Sequence, residues 1–334
     1  MVIWKVPFDC SKSRVHVINT AEASQGTTIL TDVENRAGLA RITCGWKKPE
    51  LPLSWVRRYW RDVHSPAITR RSGIYDYRHY QYDEVDSALF GAVKGVELDC
   101  PLGERLMWNS DVRYLDAAGL AAFDATPPPE VKPHLLGDID LIVDRSTTYR
   151  AVGSNALTLV DRTADATPQG PPAKPAYALF LRRRADESSF RECVRALARR
   201  WSEFDSVLRV RMSLFEVPDM EAERKAGYPI KTHPVEQQYQ ATVELVLSER
   251  EVGRDLLGDG AGVDWAGAIR TIHAYPIAAC YTSVYAGRPT LVGLRGFAAH
   301  QAIRALGADN QTEPGLLEWI YGAAARDGAS GEDA

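Results

Sequence analysis

One segment of the sequence places a histidine near the end of a predicted helix. Residues 59–66 read YWRDVHSP, and Val56, Trp60 and His64 recur every four residues, as they would on one helical face. An imidazole group changes its charge near neutral pH, so it can accept and return a proton without a cofactor. His64 is therefore the first candidate catalytic residue. The structural alternative is that His64 only hydrogen-bonds the backbone of the turn into Pro66.

A strand with aromatic and polar side chains is predicted directly after this helix, at 74–82 (IYDYRHYQY). Side chains two residues apart share one face of a strand. We predict that one face lines a cavity, where Tyr77 and His79 act as catalytic groups that polarise a substrate oxygen. On this prediction the substrate is bound by Trp60, Tyr75 and Gln81. The alternative is an amphipathic strand that only packs. The opposite face, expected to contact helices or solvent, carries Asp76, Arg78, Tyr80 and Tyr82.

The first half of the chain is predicted to alternate between strands and helices. Strands are predicted at 38–46, at 74–82, near 104–108 and at 139–143, with helices at 49–64 and around 114–123. The resulting order, β-α-β-β-α-β, is that of the ferredoxin-like motif. Such a unit leaves one sheet face uncovered, because both helices lie on the other face.

A proline-rich break separates this half from a second half with the same order of elements. Residues 165–175 (DATPQGPPAKP) include four prolines, which can neither continue a helix nor donate within a central strand. Beyond the break, strands are predicted at 177–181, 207–215, 240–247 and 277–285, with helices at 188–201 and from about residue 251. We divide the chain into an extension (1–35), a first repeat (36–155), a linker (156–175), a second repeat (176–290) and a helical tail (291–334).

Two such units in one chain can pack sheet on sheet. This packing would bury both open faces and enclose a space between them, which is a natural site for a small molecule. We expect His64 and the strand face that carries Tyr77 to point into that space.

The helix and strand motif resembles that of the EthD family of dimeric α+β barrel proteins. That family has a helix of the form F-x-x-x-W-x-x-x-H, a small residue and Pro, and then a Gly that leads into a strand. Val56 replaces the Phe, whereas the matching residues are Trp60, His64, Pro66 and Gly73. The resemblance covers residues 36–150. The second repeat has RALARRWSEFDS (195–206) at the corresponding place, with no equivalent histidine.

The resemblance implies an α+β fold with antiparallel sheets, in which two tandem ferredoxin-like repeats form an intramolecular dimeric α+β barrel. It does not imply one chemistry, because related barrels carry out several reactions.

Composition excludes several other classes of protein. The 334 residues carry a net charge of −4, from 40 basic and 44 acidic side chains, so no positive field would attract nucleic acid. The five cysteines are scattered without metal-ligand spacing, and neither a leader sequence nor a long apolar stretch is evident. We expect a cytoplasmic protein with no metal, no cofactor and no membrane partner. The glycine-rich segment GDGAG at 258–262 follows a helical pattern, and we interpret it as a turn. His233 and His273 are weaker candidates for contact with a ligand.

These observations favour a cofactor-independent enzyme. Its substrate would be a small hydrophobic molecule, aromatic or polyketide-like, and His64 would transfer a proton in an elimination, cyclisation or isomerisation. Two alternatives stay open. One is a non-catalytic binding protein that serves a degradation pathway, and the other is a cofactor-free monooxygenase. The sequence also leaves a homodimer open.

Overall fold

The computed structural model describes residues 31–91, 93–225, 234–257 and 265–322. The strands are β1 (Leu39–Lys47), β2 (Asp76–Tyr82), β3 (Trp108–Tyr114), β4 (Val143–Val152), β5 (Ala156–Asp161), β6 (Gln169–Gly170), β7 (Ala176–Arg183), β8 (Val207–Leu214), β9 (Ala241–Leu247), β10 (Ile269–Tyr285) and β11 (Arg288–Pro289). None of the helices in the described residues combines the length and the apolar character that crossing a membrane requires.

Helix α1 runs through Leu53–Tyr59, a π-helical turn at Trp60–His64 and a last piece at Ser65–Ile68. The other helices are α2 (Ala117–Ala125), α3 (Lys132–Ile142), α4 (Glu187–Ser202), α5 (Met220–Lys225), α6 (Trp265–Ala268), α7 (Leu291–Arg295), α8 (Phe297–Leu306) and α9 (Pro314–Tyr321).

The strands form one antiparallel sheet in the order β4-β1-β3-β2-β10-β7-β9-β8-β5, and the short strands β6 and β11 pair with β10. In the first half the order is β4-β1-β3-β2, and in the second half it is β10-β7-β9-β8. In each half the fourth strand therefore lies beside the first, and the third lies between the first and the second. This is the ferredoxin-like arrangement, and the predicted α+β fold class is confirmed.

Two junctions between the halves close the sheet into a barrel. Strand β10 pairs with β7 over Ile269–Pro276 and with β2 over Ile277–Val284, so one strand joins the two halves. At the other junction β5 pairs with β8, and only the 3-10 turn Gly153–Asn155 separates β5 from β4. Because β4 and β5 are the two ends of the strand order, this short turn brings the ends together.

The barrel interior is filled by side chains. An aromatic cluster occupies one part and includes Trp46, Tyr80, Tyr82, Tyr149, Phe180, Phe215, Tyr239 and Tyr275. A buried ionic network occupies another part and includes Glu34, Asp76, Arg78, Asp111, Arg113, Asp161, Arg209 and Arg211. The charged side chains of β2 thus lie inside the barrel.

The centre of this network is Glu34. Its carboxylate accepts hydrogen bonds from Arg78 Nη2 at 2.5 Å and Arg209 Nη2 at 2.9 Å, and Arg211 Nη1 lies 3.3 Å away. Burial by itself would raise the pKa of Glu34, but the charges of Arg209, Arg78 and Arg211 hold it well below 4.5. Glu34 is therefore ionised, and it links a strand of the first half to a strand of the second.

The predicted orientation of β2 was wrong. The face with Tyr77 and His79 points towards the helices, whereas the face with Arg78 points into the barrel. Every residue of β2 is buried. The alternation in the sequence therefore separates the two faces without showing which one is inside. Arg78 is buried inside because Glu34, 44 residues away in sequence, and Asp76 of the same strand neutralise its charge.

Several predicted elements are displaced. The third strand is β3 and not 104–108, since the 3-10 turn Leu102–Glu104 precedes it. Residues 139–143 mostly complete helix α3, and the following strand is β4; a short apolar run does not distinguish a helix from a strand. Residues 156–161, assigned to the linker, form β5. The helix expected from residue 251 is the 3-10 turn Arg250–Asp255. The predictions for His233 and 258–262 lie outside the described residues, as does most of the extension 1–35.

We expect Glu34→Gln to lower the free energy of unfolding by about 3–5 kcal/mol at neutral pH, because the buried guanidinium groups lose their shared anion. The pKa of Glu34 is lower in the folded chain than in the unfolded chain. Its contribution to stability is thus complete above about pH 4.5 and is lost as the pH falls below that value. Denaturant unfolding at a series of pH values measures both effects.

The control for this prediction is Glu187→Gln, which removes an exposed helix pair with Arg191. It should change the free energy of unfolding by about 0.5 kcal/mol or less. Unfolding curves of Glu34→Gln that coincide with those of the parent at every pH would contradict the central role of this carboxylate.

Candidate functional site

A cavity of about 80 Å³ lies in the first half, between the outer face of its sheet and helices α1, α2 and α3. Its apolar wall includes Ile68, Val112, Phe123, Leu136, Ile139 and Val143. Its polar and aromatic wall includes Arg41, Trp60, His64, Arg71, Tyr77, Trp108 and Ser110. We had expected the site between the two sheets, but His64 points into this cavity on the helix side. The reason is that α1 covers the outer face of the sheet.

The π-helical turn of α1 positions His64. The Ser65 N–H donates to the Trp60 carbonyl, five residues back. Pro66 has no N–H to donate to the carbonyl of Asp62, and a regular α-helix at this point would bring the proline ring against that carbonyl. The wider turn accommodates Pro66, so the helix continues to Ile68, although we had predicted that it would stop at the proline. Such turns often occur at functional sites.

His64 is paired with an acidic side chain that comes from α3. Its Nδ1 lies 2.9 Å from Asp138 Oδ2, and both side chains are largely buried. A carboxylate at Nδ1 holds the imidazole ring in one orientation and favours the tautomer that carries the proton on Nδ1. Nε2 then has the lone pair that a base needs. Asp62 lies two residues before His64, so its side chain faces another side of the helix. It pairs with Arg61.

Hydroxyl groups lie next to this pair. Tyr77 donates to Ser65 Oγ at 3.0 Å, and Trp60 Nε1 donates to Ser110 Oγ at 3.3 Å. Burial raises the pKa of Tyr77, and hydrogen bonds with Ser65, Ser110 and Trp60 oppose this effect only in part. The phenol therefore stays protonated at neutral pH and can donate a hydrogen bond.

Trp60 forms a wall of the cavity. Its ring centroid lies 4.1 Å from that of His64 and 4.8 Å from that of Trp108. These aromatic contacts exclude water from one side of the imidazole, which strengthens electrostatic interactions in the cavity.

The other three predicted site residues lie outside the cavity wall. His79 is fully buried behind Trp60, with 6.2 Å between the ring centroids. Burial lowers the pKa of His79 to about 3, so this ring is neutral. Gln81 donates to the Arg57 carbonyl, and Tyr75 donates to the Val33 carbonyl. The structure thus brings His64, Trp60 and Tyr77 together and leaves His79, Gln81 and Tyr75 apart.

Sequence reasoning missed Asp138 and Ser110. Asp138 lies just before a segment that we predicted to be a strand, and recognising α3 would have placed it on a helix above the sheet. Ser110 lies in β3, which we had placed several residues too early. Nothing local in the sequence connects either residue to His64, because the contacts span 74 residues for Asp138 and 50 residues between Ser110 and Trp60.

The second half has no matching site in its described residues. Between its sheet and α4 lies a continuous apolar core that includes Phe190, Val194, Leu197 and Trp201. His273 is buried elsewhere, with Nδ1 2.7 Å from the Tyr239 hydroxyl, and burial lowers its pKa to about 3. Among the residues that the structure describes, no three His, Cys, Asp or Glu side chains form a group that could hold a metal ion.

Comparisons with known proteins find a distant likeness to several solved structures. No family model and no curated protein matches the chain. A monooxygenase candidate from Lactobacillus acidophilus has a TM-score of 0.40 and 7% identity, covering 74% of this chain and 97% of its own. An anthrone oxidase-like protein has a TM-score of 0.43 and 9% identity, covering 74% and 93%. A monooxygenase candidate from Fusobacterium nucleatum subsp. nucleatum has a TM-score of 0.42 and 7% identity, covering 74% and 94%.

Sequence identities and TM-scores this low support no conclusion about function. Because no family model matches, the resemblance to the EthD family rests on the motif of α1 and β2 alone. The site is therefore judged by its own geometry.

Gly45 gives a direct test of the cavity wall. A Cβ atom at this position would lie 2.1 Å from Cζ2 of Trp108, so Gly45→Ala must displace the indole ring. We expect the free energy of unfolding to fall by about 1–3 kcal/mol. We also expect the near-UV circular dichroism of the paired rings of Trp60 and Trp108 to change.

Gly137→Ala is the control, because its Cβ would meet nothing within 4 Å on an exposed face of α3. This change should raise stability slightly, since Ala favours a helix more than Gly does. If Gly45→Ala unfolded like the parent with an unchanged spectrum, the packing of Trp108 against β1 would be wrong.

Proposed function

We propose that the protein is a cofactor-independent enzyme that moves a proton on a small, largely apolar substrate. The observation that carries this proposal is the pairing of His64 with Asp138 at the wall of an apolar cavity. A histidine that served only to shape the turn would not need a buried carboxylate from another helix. Burying such a pair has a desolvation cost, so its position beside a cavity favours a chemical role.

His64 would act as the general base. With Nδ1 held by Asp138, Nε2 takes a proton from a carbon next to a carbonyl group. The C–H electron pair moves into the carbonyl and leaves an enolate, while Asp138 stabilises the imidazolium that forms. Returning the proton to another carbon gives isomerisation, and loss of a leaving group gives elimination.

Tyr77 and Ser110 would stabilise the enolate oxygen. Both hydroxyl groups lie on adjacent strands at the cavity, and the pKa of Tyr77 is raised. A hydrogen bond to a developing negative charge is stronger in an apolar cavity than in water. Trp60 would bind the apolar part of the substrate.

The cavity limits the size of the substrate. An engineered cavity of about 150 Å³ binds benzene, and the cavity beside His64 has about half that volume. A complete polyketide would not fit. The substrate is therefore a small ketone, or a larger aromatic compound that places only its reacting end beside His64.

Exchange of carbon-bound hydrogen in D₂O tests the proposal directly. A panel of small cyclic and open-chain ketones is incubated with the protein, and loss of the α-proton signal is followed by NMR. We expect His64→Ala to slow exchange by about 10²–10⁴-fold and Tyr77→Phe by about 10²–10³-fold. Asp138→Asn should lower kcat by between about 10-fold and 10⁴-fold, with a smaller change in KM.

Matched variants separate a chemical effect from a folding effect. His134→Gln changes an exposed histidine on α3, and Tyr75→Phe changes a tyrosine of the same sheet face outside the cavity. Both should exchange like the parent. Folded His64→Ala and Tyr77→Phe proteins with undiminished exchange would overturn the proposal. Oxygen consumption with substrate would instead favour the monooxygenase, and binding seen by native mass spectrometry without exchange would favour the accessory protein.

A further inference from the structure

A row of hydroxyl groups crosses the sheet that forms the floor of the cavity beside His64. In the strand register, Ser110 of β3 lies opposite Thr43 of β1, and Thr43 lies opposite Thr148 of β4. All three residues line the cavity. Side chains that are directly opposite on neighbouring strands have Cβ atoms about 5 Å apart. The row therefore extends from Ser110, which we assign to the enolate oxygen, across β1 to β4.

The two threonines of this row bond to each other. Thr43 Oγ1 lies 3.1 Å from Thr148 Oγ1, and this is the hydrogen bond of both hydroxyl groups among the residues that the structure describes. A hydroxyl group has one hydrogen to donate and two lone pairs that accept. The bond between the threonines thus leaves one hydrogen and most of the lone pairs unused. Thr148 is buried and Thr43 is half-buried, and both lie at the cavity.

Packing alone does not require hydroxyl groups at these two positions. Strands favour β-branched side chains, and Val has the same branched shape as Thr. The side chains that α3 contributes to the same cavity, Leu136 and Ile139, are apolar. In such surroundings, a hydroxyl group that keeps an unused hydrogen has a desolvation cost. A ligand group that both accepts and donates a hydrogen bond would offset this cost.

The spacing of the row fits two oxygen atoms of one small molecule. The proposed function places a ketone oxygen at Tyr77 and Ser110. Thr43 lies one strand further, with about 5 Å between its Cβ atom and that of Ser110. An oxygen on the β-carbon of the ketone spans this separation. The α-carbon then lies between the two oxygen atoms, where His64 takes the proton.

We propose that the substrate is a β-hydroxy ketone and that Thr43 and Thr148 are the residues that select it. This inference rests on the proposed function. The β-hydroxyl group of the substrate accepts the hydrogen that the threonine pair does not use, and it donates to a lone pair of the same pair. A ketone without this group leaves the pair unsatisfied and binds more weakly. The second oxygen also fixes the orientation of the α-carbon towards His64.

Two ketones of equal size test the proposal, because 4-hydroxy-2-butanone has a hydroxyl group where 2-pentanone has a methyl group. Affinity is measured by NMR titration of the protein, and α-proton exchange in D₂O is measured relative to spontaneous exchange. We expect the parent to favour the hydroxy ketone by about 5- to 10-fold in both measurements. Thr43→Val and Thr148→Val together should remove this preference. Thr43→Ser and Thr148→Ser together keep both hydroxyl groups and should retain it, which a purely structural role would not predict.

Thr242→Val is the matched control, because it removes a hydroxyl group from a strand of the second half, outside this cavity. It should show the preference of the parent. Equal affinity of the parent for the two ketones, or an unchanged preference after both valine substitutions, would disprove selection by the threonine pair. Selective binding without exchange of either ketone would support that selection and would count against proton transfer by His64.

Discussion

Three guanidinium groups from two halves of the chain converge on the carboxylate of Glu34 inside the barrel. Arg78 comes from β2, whereas Arg209 and Arg211 come from β8. These charges are almost completely removed from water, so each needs the others to offset its desolvation. The halves must therefore approach in one relative position, because any other arrangement would leave buried charge unpaired. Closure through β10 and through the short turn between β4 and β5 then fixes the strand order around that network.

The location of the catalytic candidate follows from this constraint. An ionic network and an aromatic cluster occupy the barrel interior, where the sequence predicted the site, and His64 lies on the opposite side of the sheet, beneath helix α3. The outer face of the first half remains, and there α1 and α3 leave a small cavity. A π-helical turn directs His64 towards the sheet, and α3 supplies Asp138. The chemistry proposed for the protein depends on the layer between helices and sheet, while the barrel interior supports the structure.

The two halves have the same strand order and different roles. In the first half, the layer between sheet and helices holds a polar pair beside a cavity. In the second half, the same layer is a continuous apolar core around Trp201. The space between the halves adds a third environment, a cavity whose wall combines Arg209 and Glu244 with apolar side chains such as Val246 and Ile277. A single chain with two unlike halves can separate these tasks, which two identical subunits could not do.

By itself, the sequence determined the fold class, the order of most elements, and His64, Trp60 and Tyr77 as residues near one site. These follow from periodicity and from the motif of α1 and β2, which are local properties of the chain. Only the tertiary structure decided which face of β2 lies inside. Both faces of this strand are buried, and Glu34, the distant carboxylate that pairs with Arg78, comes from a segment 44 residues away. The tertiary structure also places Asp138, and not His79, in contact with the imidazole of His64. Such contacts depend on how α3 and β3 pack against α1. Local patterns specify elements, whereas the pairing of buried charges across the chain specifies how those elements meet.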